Sequence, residues 1–157
     1  MSAHQPVLVA VQASDFDAMA ALRIAALRES LERLGRFDPV RARGRLAAGF
    51  VPQYMHHIEV DSQRVGFVTL RPDDGSRPAC LKMDHLYIRP GSQSQGIGAW
   101  ALDWAKSRAT CQQRDICLSA LKVSDANRFY LRHGFVSTGE SEFDIDYCWS
   151  AKQEIVA

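Results

Sequence analysis

Ile88-Arg89-Pro90-Gly91-Ser92-Gln93-Ser94-Gln95-Gly96-Ile97-Gly98 is flanked by an apolar run, Leu81–Ile88, and by an apolar-patterned segment, Gly98–Arg108. A strand, a short Gly-rich turn and a helix start in that order gather backbone N–H groups that have no acceptor within the helix. Such a cluster cradles a phosphate or pyrophosphate. Gly96 and Gly98 carry no Cβ, so an anion can approach the main chain and the backbone can take positive φ. The turn is not a P-loop: the Lys-Ser/Thr ending is missing, and with it the charge clamp and metal ligand of triphosphate hydrolysis. Nor is it a Rossmann fingerprint, since only two glycines, Gly96 and Gly98, stand at the helix start and no strand-turn unit of that kind opens the chain. A G-x-G alone also fits a plain helix start.

Outward from this turn the chain reads as one α/β domain. Val7–Val11 is a short strand. Ser14 suits a helix N-cap, with Asp15 and Asp17 in the first turn where the dipole favours acids. Phe16, Ala20, Ile24, Leu27, Leu31 and Leu34 then recur at helical spacing as one buried stripe, ended by Gly35. Asp38 caps a second helix, Pro39–Ala48, with proline at its first position. Met55–Asp61 and Arg64–Arg71 form strands joined by an Asp-Ser-Gln turn, and Pro72–Pro78 is a polar connection. A strand over Ala79–Arg89 leads into the Gly-rich turn, and Ile97, Ala101 and Trp104 share one face of the helix after it. Ile116–Leu121 is a strand, Asp125–His133 a short helix, and Gly134-Phe135 opens another strand. Glu142–Ser150 alternates, with Phe143, Ile145, Tyr147 and Trp149 on one side and Glu142, Asp144 and Asp146 on the other.

A chain of 157 residues is long enough for a real core. Its 46% apolar and 24% charged content is that of a soluble globular protein. A net charge of +1 provides no global field toward nucleic acid or membrane. Cys80, Cys111, Cys117 and Cys148 are scattered, without a C-x-x-C pair or a histidine at ligand spacing, so reduced thiols rather than a metal site are expected. No apolar run reaches the ~18 residues of a membrane span, and a signal-peptide core is missing, so a cytoplasmic protein is expected.

Gln93-Ser94-Gln95-Gly96-Ile97-Gly98 resembles the Gln/Arg-x-x-Gly-x-Gly/Ala signature of the GNAT-superfamily acetyltransferases, which bind acetyl-CoA. Leu86-Tyr87-Ile88-Arg89-Pro90 resembles the strand end that leads into it, and Phe129-Tyr130-Leu131-Arg132-His133-Gly134-Phe135 resembles the second family motif, Phe-Tyr-x-x-x-Gly-Phe. Val65-Gly66-Phe67-Val68 resembles the family's hairpin. Two motifs in the right order and at the right separation are far more specific than either alone. The resemblance spans about Val7 to Trp149. It implies a GNAT fold: an α/β domain with a mixed, mostly antiparallel sheet of about six or seven strands, a central splayed parallel pair and about four helices. Residues 1–157 would then form a single N-acetyltransferase domain. In the family an Asn often precedes the tyrosine; here Ser124 stands at that place, with Asn127 one turn on.

The resemblance also implies chemistry. A pantetheine arm would add to the splayed strand through the main chain of Leu86, Tyr87 and Ile88, where an N–H can also stabilise the developing oxyanion. Amides of Gln93, Ser94, Gln95, Gly96, Ile97, Gly98 and Ala99 would hold the pyrophosphate, with Ser124 and Asn127 beside the cofactor arm. An amine would attack the thioester directly, with neither a covalent enzyme intermediate nor a metal. Tyr130 resembles the tyrosine that donates a proton to, or hydrogen-bonds, the departing thiolate, while Phe129 fills the packing role next to it. In relatives the base often comes from the cleft-facing side of the same strand. Lys82, Asp84, Leu86 and Ile88 share one face and Met83, His85 and Tyr87 the other, which points to Asp84. An ordinary carboxylate is a weak base, so burial would have to strengthen it. His85, Glu59 and His57 rank below it.

The acceptor is less legible. Arg23–Arg45 holds seven arginines, read as the wet side of two amphipathic helices. Glu140, Glu142, Asp144 and Asp146 make an acidic row, read as the solvated face of an edge strand rather than as a docking site for a cationic acceptor. The acceptor is expected to be a primary amine of a small molecule or protein. Exposed aromatics on the last strand would support a homodimer. A non-catalytic acyl-CoA-binding or sensing module of the same fold is the alternative function.

Overall fold

Period-two and period-3.6 patterns resolve, in the computed structural model, into seven strands and four helices over the described residues, 5–75 and 79–152. The strands are β1 (Val7–Ala10), β2 (Met55–Val60), β3 (Gln63–Asp73), β4 (Cys80–Ile88), β5 (Asp115–Leu121), β6 (Val136–Glu140) and β7 (Asp144–Trp149). The helices are α1 (Phe16–Arg33), α2 (Pro39–Ala48), α3 (Ile97–Gln112) and α4 (Ala126–Arg132). Of the polar connection expected over Pro72–Pro78, residues 76–78 lie outside the described residues.

The strands form one mixed sheet in the order β1-β2-β3-β4-β5-β7-β6. Pairs β1-β2, β2-β3, β5-β7 and β6-β7 are antiparallel, and β4-β5 is parallel. The β2–β3 hairpin turns on Asp61 and Ser62, both at positive φ (52° and 66°), the backbone of a type I′ turn. The parallel register runs from Cys80↔Asp115 to Lys82↔Cys117 and no further, although both strands continue.

The chain divides into two compact units, Met1–Thr69 with His85–Ala101, and Leu70–Asp84 with Leu102–Ala157. In the first, Val11, Met19, Ala20, Leu46, Met55 and Phe67 form a buried cluster with Phe16, Leu22, Phe50 and Tyr87 packed against it. In the second, the buried side chains include Leu102, Ala105, Ile116, Leu118, Phe135, Tyr147 and Trp149. Of the final-strand aromatics, Tyr147 and Trp149 are buried and Phe143 is half-buried. No helix among the described residues is long and apolar enough to cross a membrane.

Helix α2 starts as expected: the Asp38 carboxylate accepts from the N–H groups of Val40 (3.1 Å) and Arg41 (3.2 Å). Helix α1 does not. A single 3₁₀ turn, Ala13–Asp15, precedes it, and Ser14 caps nothing. Asp15 instead accepts from Gln12 N–H (2.9 Å) and faces His57 and Arg64. The most buried face of α1 is Met19, Ala20 and Arg23, while Ile24, Leu27, Leu31 and Leu34 are only half-buried. Arg23 is therefore not on the wet side of the helix. Gly35, at φ +66°, ends the helical segment in the left-handed conformation.

Candidate active site

In the first unit, β4 ends at Ile88 and the chain is locked before it turns. Arg89 N–H donates to Val65 O (2.7 Å), and the Arg89 guanidinium donates to Ser92 Oγ (2.8 Å) and Gln63 Oε1 (3.2 Å). Gln93 Nε2 reaches back to Ile88 O at 2.9 Å. Ser94 (φ 62°) and Gly96 (φ 80°) then enter the left-handed region before α3 starts at Ile97. A turn with left-handed residues can present successive N–H groups to one anion. A Cβ on Gly96 would meet nothing within 4 Å. Its glycine is required by backbone conformation, not by crowding.

Just upstream, β3 and β4 come unusually close. A Cβ on Gly66 would overlap the Tyr87 carbonyl oxygen and lie 2.9 Å from Ile88 Cδ1. The opposite face of β4 carries His85 and Tyr87 against Phe67, with ring centroids 6.1 and 5.5 Å from it. Tyr87 Oη lies 3.3 Å from His85 Nδ1 and accepts from Arg23 Nε at 3.3 Å. Arg23 Nη1 donates to Ala42 O at 2.8 Å. The run of seven arginines conceals this network in the sequence, because the other six are not buried. The signal was present: Arg23 follows Met19 by four residues and Ala20 by three, on the apolar face.

In the second unit, Asp84 is held by Arg71, whose Nε lies 2.5 Å from Oδ2 and Nη2 3.4 Å from Oδ1. That bond raises the Arg71 pKa above its ordinary value. The segment after β5 is organised by Asn127. Its Nδ2 donates to Leu121 O (2.7 Å) and Ser124 O (2.9 Å), and its Oδ1 accepts from Tyr147 Oη (2.7 Å). Ser124 Oγ donates to Leu121 O (2.9 Å). Burial raises the Tyr147 pKa. Tyr130 is 7% exposed, its ring 5.2 Å from Phe129, 5.4 Å from Phe135 and 6.1 Å from Tyr147 between centroids. Gly134 (φ 87°) folds the chain back so that Phe135 N–H donates to Tyr130 O (3.1 Å).

The remaining candidates are engaged in their own units. His57 is buried and bonds Asp15 Oδ2 at 2.8 Å, which with Gln12 N–H lowers the Asp15 pKa to about 2. Glu59 faces Arg64 at 3.7 Å. In the acidic row, Glu140 pairs with Lys122 (3.2 Å) and Asp146 accepts from Ser119 (2.6 Å). All four cysteines are free thiols. Cys117 and Cys148, cross-strand partners, have their sulfurs 4.0 Å apart, and burial raises both pKa values.

A family model described as an acetyltransferase (GNAT) domain matches residues 52–137, more than half of the chain. The chain belongs to the GNAT acetyltransferase family. Its fold is that of solved relatives at low identity. PaiA N-acetyltransferase from Thermoplasma acidophilum, solved in complex with coenzyme A, is 12% identical with a TM-score of 0.73 over 93% of this chain and 99% of that one. An acetyltransferase from Thermus thermophilus is 15% identical with a TM-score of 0.74, covering 96% and 99%. The apo form of YjaB from Escherichia coli is 18% identical with a TM-score of 0.72, covering 92% and 97%. No curated protein shows a significant match to the sequence.

In this GNAT acetyltransferase the expected site residues group by unit. Leu86, Tyr87, Ile88 and Gln93–Ala99 form one continuous segment of the first unit, closed on itself by Gln93. Ser124 and Asn127 lie in the second unit with Tyr130 and Tyr147. Asp84, also of the second unit, belongs with Arg71.

Proposed function

We propose that this GNAT acetyltransferase moves an acetyl group from acetyl-CoA to a primary amine by direct attack on the thioester. The observation that carries the reading is the turn at Gln93–Gly98. Ser94 and Gly96 are left-handed, the Gly96 side is open, and α3 starts next to them. That geometry suits the pyrophosphate of coenzyme A, which takes backbone N–H donors and a helix N-terminus in place of lysines. The main chain of Leu86–Ile88 would bind the pantetheine arm, and an N–H there would stabilise the tetrahedral oxyanion. The amine nitrogen bonds to the carbonyl carbon, the C–S bond breaks, and the thiolate takes the Tyr130 phenolic proton. The proton lost by the ammonium goes to solvent, and the Tyr130 phenolate takes one back from solvent, which restores the phenol.

Asp84 receives a different role in this proposal from the one its position on the strand implied. A carboxylate already bonded by a guanidinium accepts a substrate proton poorly, so we assign Asp84 to holding Arg71 in place. The same ion pair is the observation that favours the second reading, a non-catalytic acyl-CoA-binding module. A thermal shift with acetyl-CoA and with free CoA, followed by thiol release over a panel of amines, separates the two. Ligand at 100 times its dissociation constant stabilises by about 2.7 kcal/mol, a rise of ~5–10 °C for a chain of this size. Amine-dependent thiol release is the expected result. A shift without turnover supports the binding module, and no shift removes both readings.

A further inference from the structure

Among the described residues, Arg23 is the only lysine or arginine in the interior, 8% exposed. No carboxylate of these residues lies within 4.0 Å of its guanidinium. Its Nε–H is directed at Tyr87 Oη, its charge lies over the Tyr87 ring at 5.5 Å, and one Nη1–H is directed at Ala42 O. The second Nη1–H and both Nη2–H groups have no protein acceptor, and Nη2 is not sealed from solvent. A buried charge left without a counter-ion is strongly unfavourable. A counter-ion that arrives from outside would relieve that cost.

We propose that Arg23 receives a carboxylate of the acceptor, so that the substrate class is an amine that also carries a carboxylate group. The inference rests on the acetyl-transfer reading and adds the acceptor to it. The Nη2–H groups and the second Nη1–H remain as donors of a planar guanidinium, the group that pairs best with a carboxylate. The donor's pyrophosphate is served by main-chain amides of Gln93–Ala99 and does not need this cation. Arg23 grips Tyr87, the middle residue of the segment whose main chain would hold the thioester. An acceptor anchored at Arg23 is thereby tied to the same strand as the reacting carbonyl. The cationic alternative fits less well, because a buried arginine repels a polyamine. Two carboxylates of the acidic row are also engaged within their own unit.

The test is thiol release by the full chain with acetyl-CoA and matched pairs differing only in the carboxylate: glycine and glycinamide, 4-aminobutyrate and butylamine, 6-aminohexanoate and hexylamine. The expected result is a kcat/KM preference of roughly 10- to 100-fold for the acid at one chain length, carried mainly by KM. In Arg23→Gln that ratio collapses toward one, and Arg23→Lys restores part of it. Equal rates on both members in the wild type, or an unchanged ratio in Arg23→Gln, overturns the proposal, as does a preference for 2-aminoethyl phosphate over every acid. Each variant is first checked for its acetyl-CoA thermal shift, which reports folding and donor binding independently of the acceptor. If Arg23→Gln does not fold, Arg23→Lys alone decides, since it keeps the charge and loses the planar guanidinium. If no amine turns over, the acetyl-transfer reading fails. Arg23 is then judged by saturable stabilisation of the CoA-bound protein with the same three acids: its presence in the wild type and loss in the variant supports the anion site, and its lack overturns it.

Discussion

The segment Leu86–Ala99 in the first unit and the segment Leu121–Phe135 in the second carry most of the expected site residues by opposite means. The first offers main-chain groups. Its side chains hold the backbone in shape, as when Arg89 bonds Ser92 and Gln63 and when Gln93 bonds Ile88 O. The second presents Tyr130 as a side chain set among Phe129, Phe135 and Tyr147, on the helix α4 whose entry Asn127 holds. A backbone site tolerates substitution except where a Cβ is excluded or φ is positive. A side-chain site fails when a single group is removed. Damage should therefore appear in folding and cofactor affinity for the first segment, and in turnover for the second.

The largest effect is expected at Gly66. Alanine there collides with the Tyr87 backbone, which cannot move aside as a flexible side chain would. Gly66→Ala should lose about 3 kcal/mol or more in urea unfolding, at the upper end of overpacking costs, and weaken acetyl-CoA binding with it. Stability within 0.5 kcal/mol of the parent, roughly the usual range for a neutral surface change, would break the backbone half of the comparison. Tyr130→Phe tests the other half. Turnover should fall by roughly 100-fold while the acetyl-CoA thermal shift stays, and retained turnover removes Tyr130 from the mechanism.

Gly96→Ala sharpens the contrast, because nothing lies within 4 Å of the added Cβ. Only the left-handed conformation is penalised, by about 1–2 kcal/mol, with weaker acetyl-CoA affinity and an unchanged kcat. A fall in kcat would show that this turn does more than bind. The smallest effect concerns acid. The Asp15 pKa, lowered from 3.8 to about 2 by His57, means stability present above pH 3.8 and lost as pH falls toward 2. The His133 pKa, lowered from 6.5 by burial and by Lys106, means stability lost as pH falls below 6.5. Acid titration followed by circular dichroism should therefore show His133→Gln flattening the slope near pH 6 and Asp15→Asn flattening it between about pH 4 and 2. The same slopes in both variants would detach these contacts from stability.

Local pattern made much of the fold legible. Pro39 with Asp38 specified the start of α2, Gly35 and Gly134 ended helical segments, and alternation defined β7. The Gly-rich turn was legible because a backbone cradle needs only glycine and a helix start, both local in sequence. What stayed hidden depends on partners far along the chain. Asp84 carried the right strand parity for a base, yet Arg71 across the hairpin claims its carboxylate. Asn127 stood one turn from the family position, yet its amide is engaged by Leu121, Ser124 and Tyr147. Cysteines scattered in the chain converge because Cys117 and Cys148 lie opposite each other on adjacent strands.

By itself, the sequence determined the order of the elements, the turn at Gln93–Gly98 and the family. These follow from backbone conformation and from side chains a few residues apart. Tertiary structure alone decided which charges are already neutralised. Asp15, Glu59, Asp84 and Glu140 meet partners brought by other elements, and Arg23 enters the interior without a carboxylate partner. Charge compensation acts through space, so a property of pairs distant in sequence cannot be read along the chain.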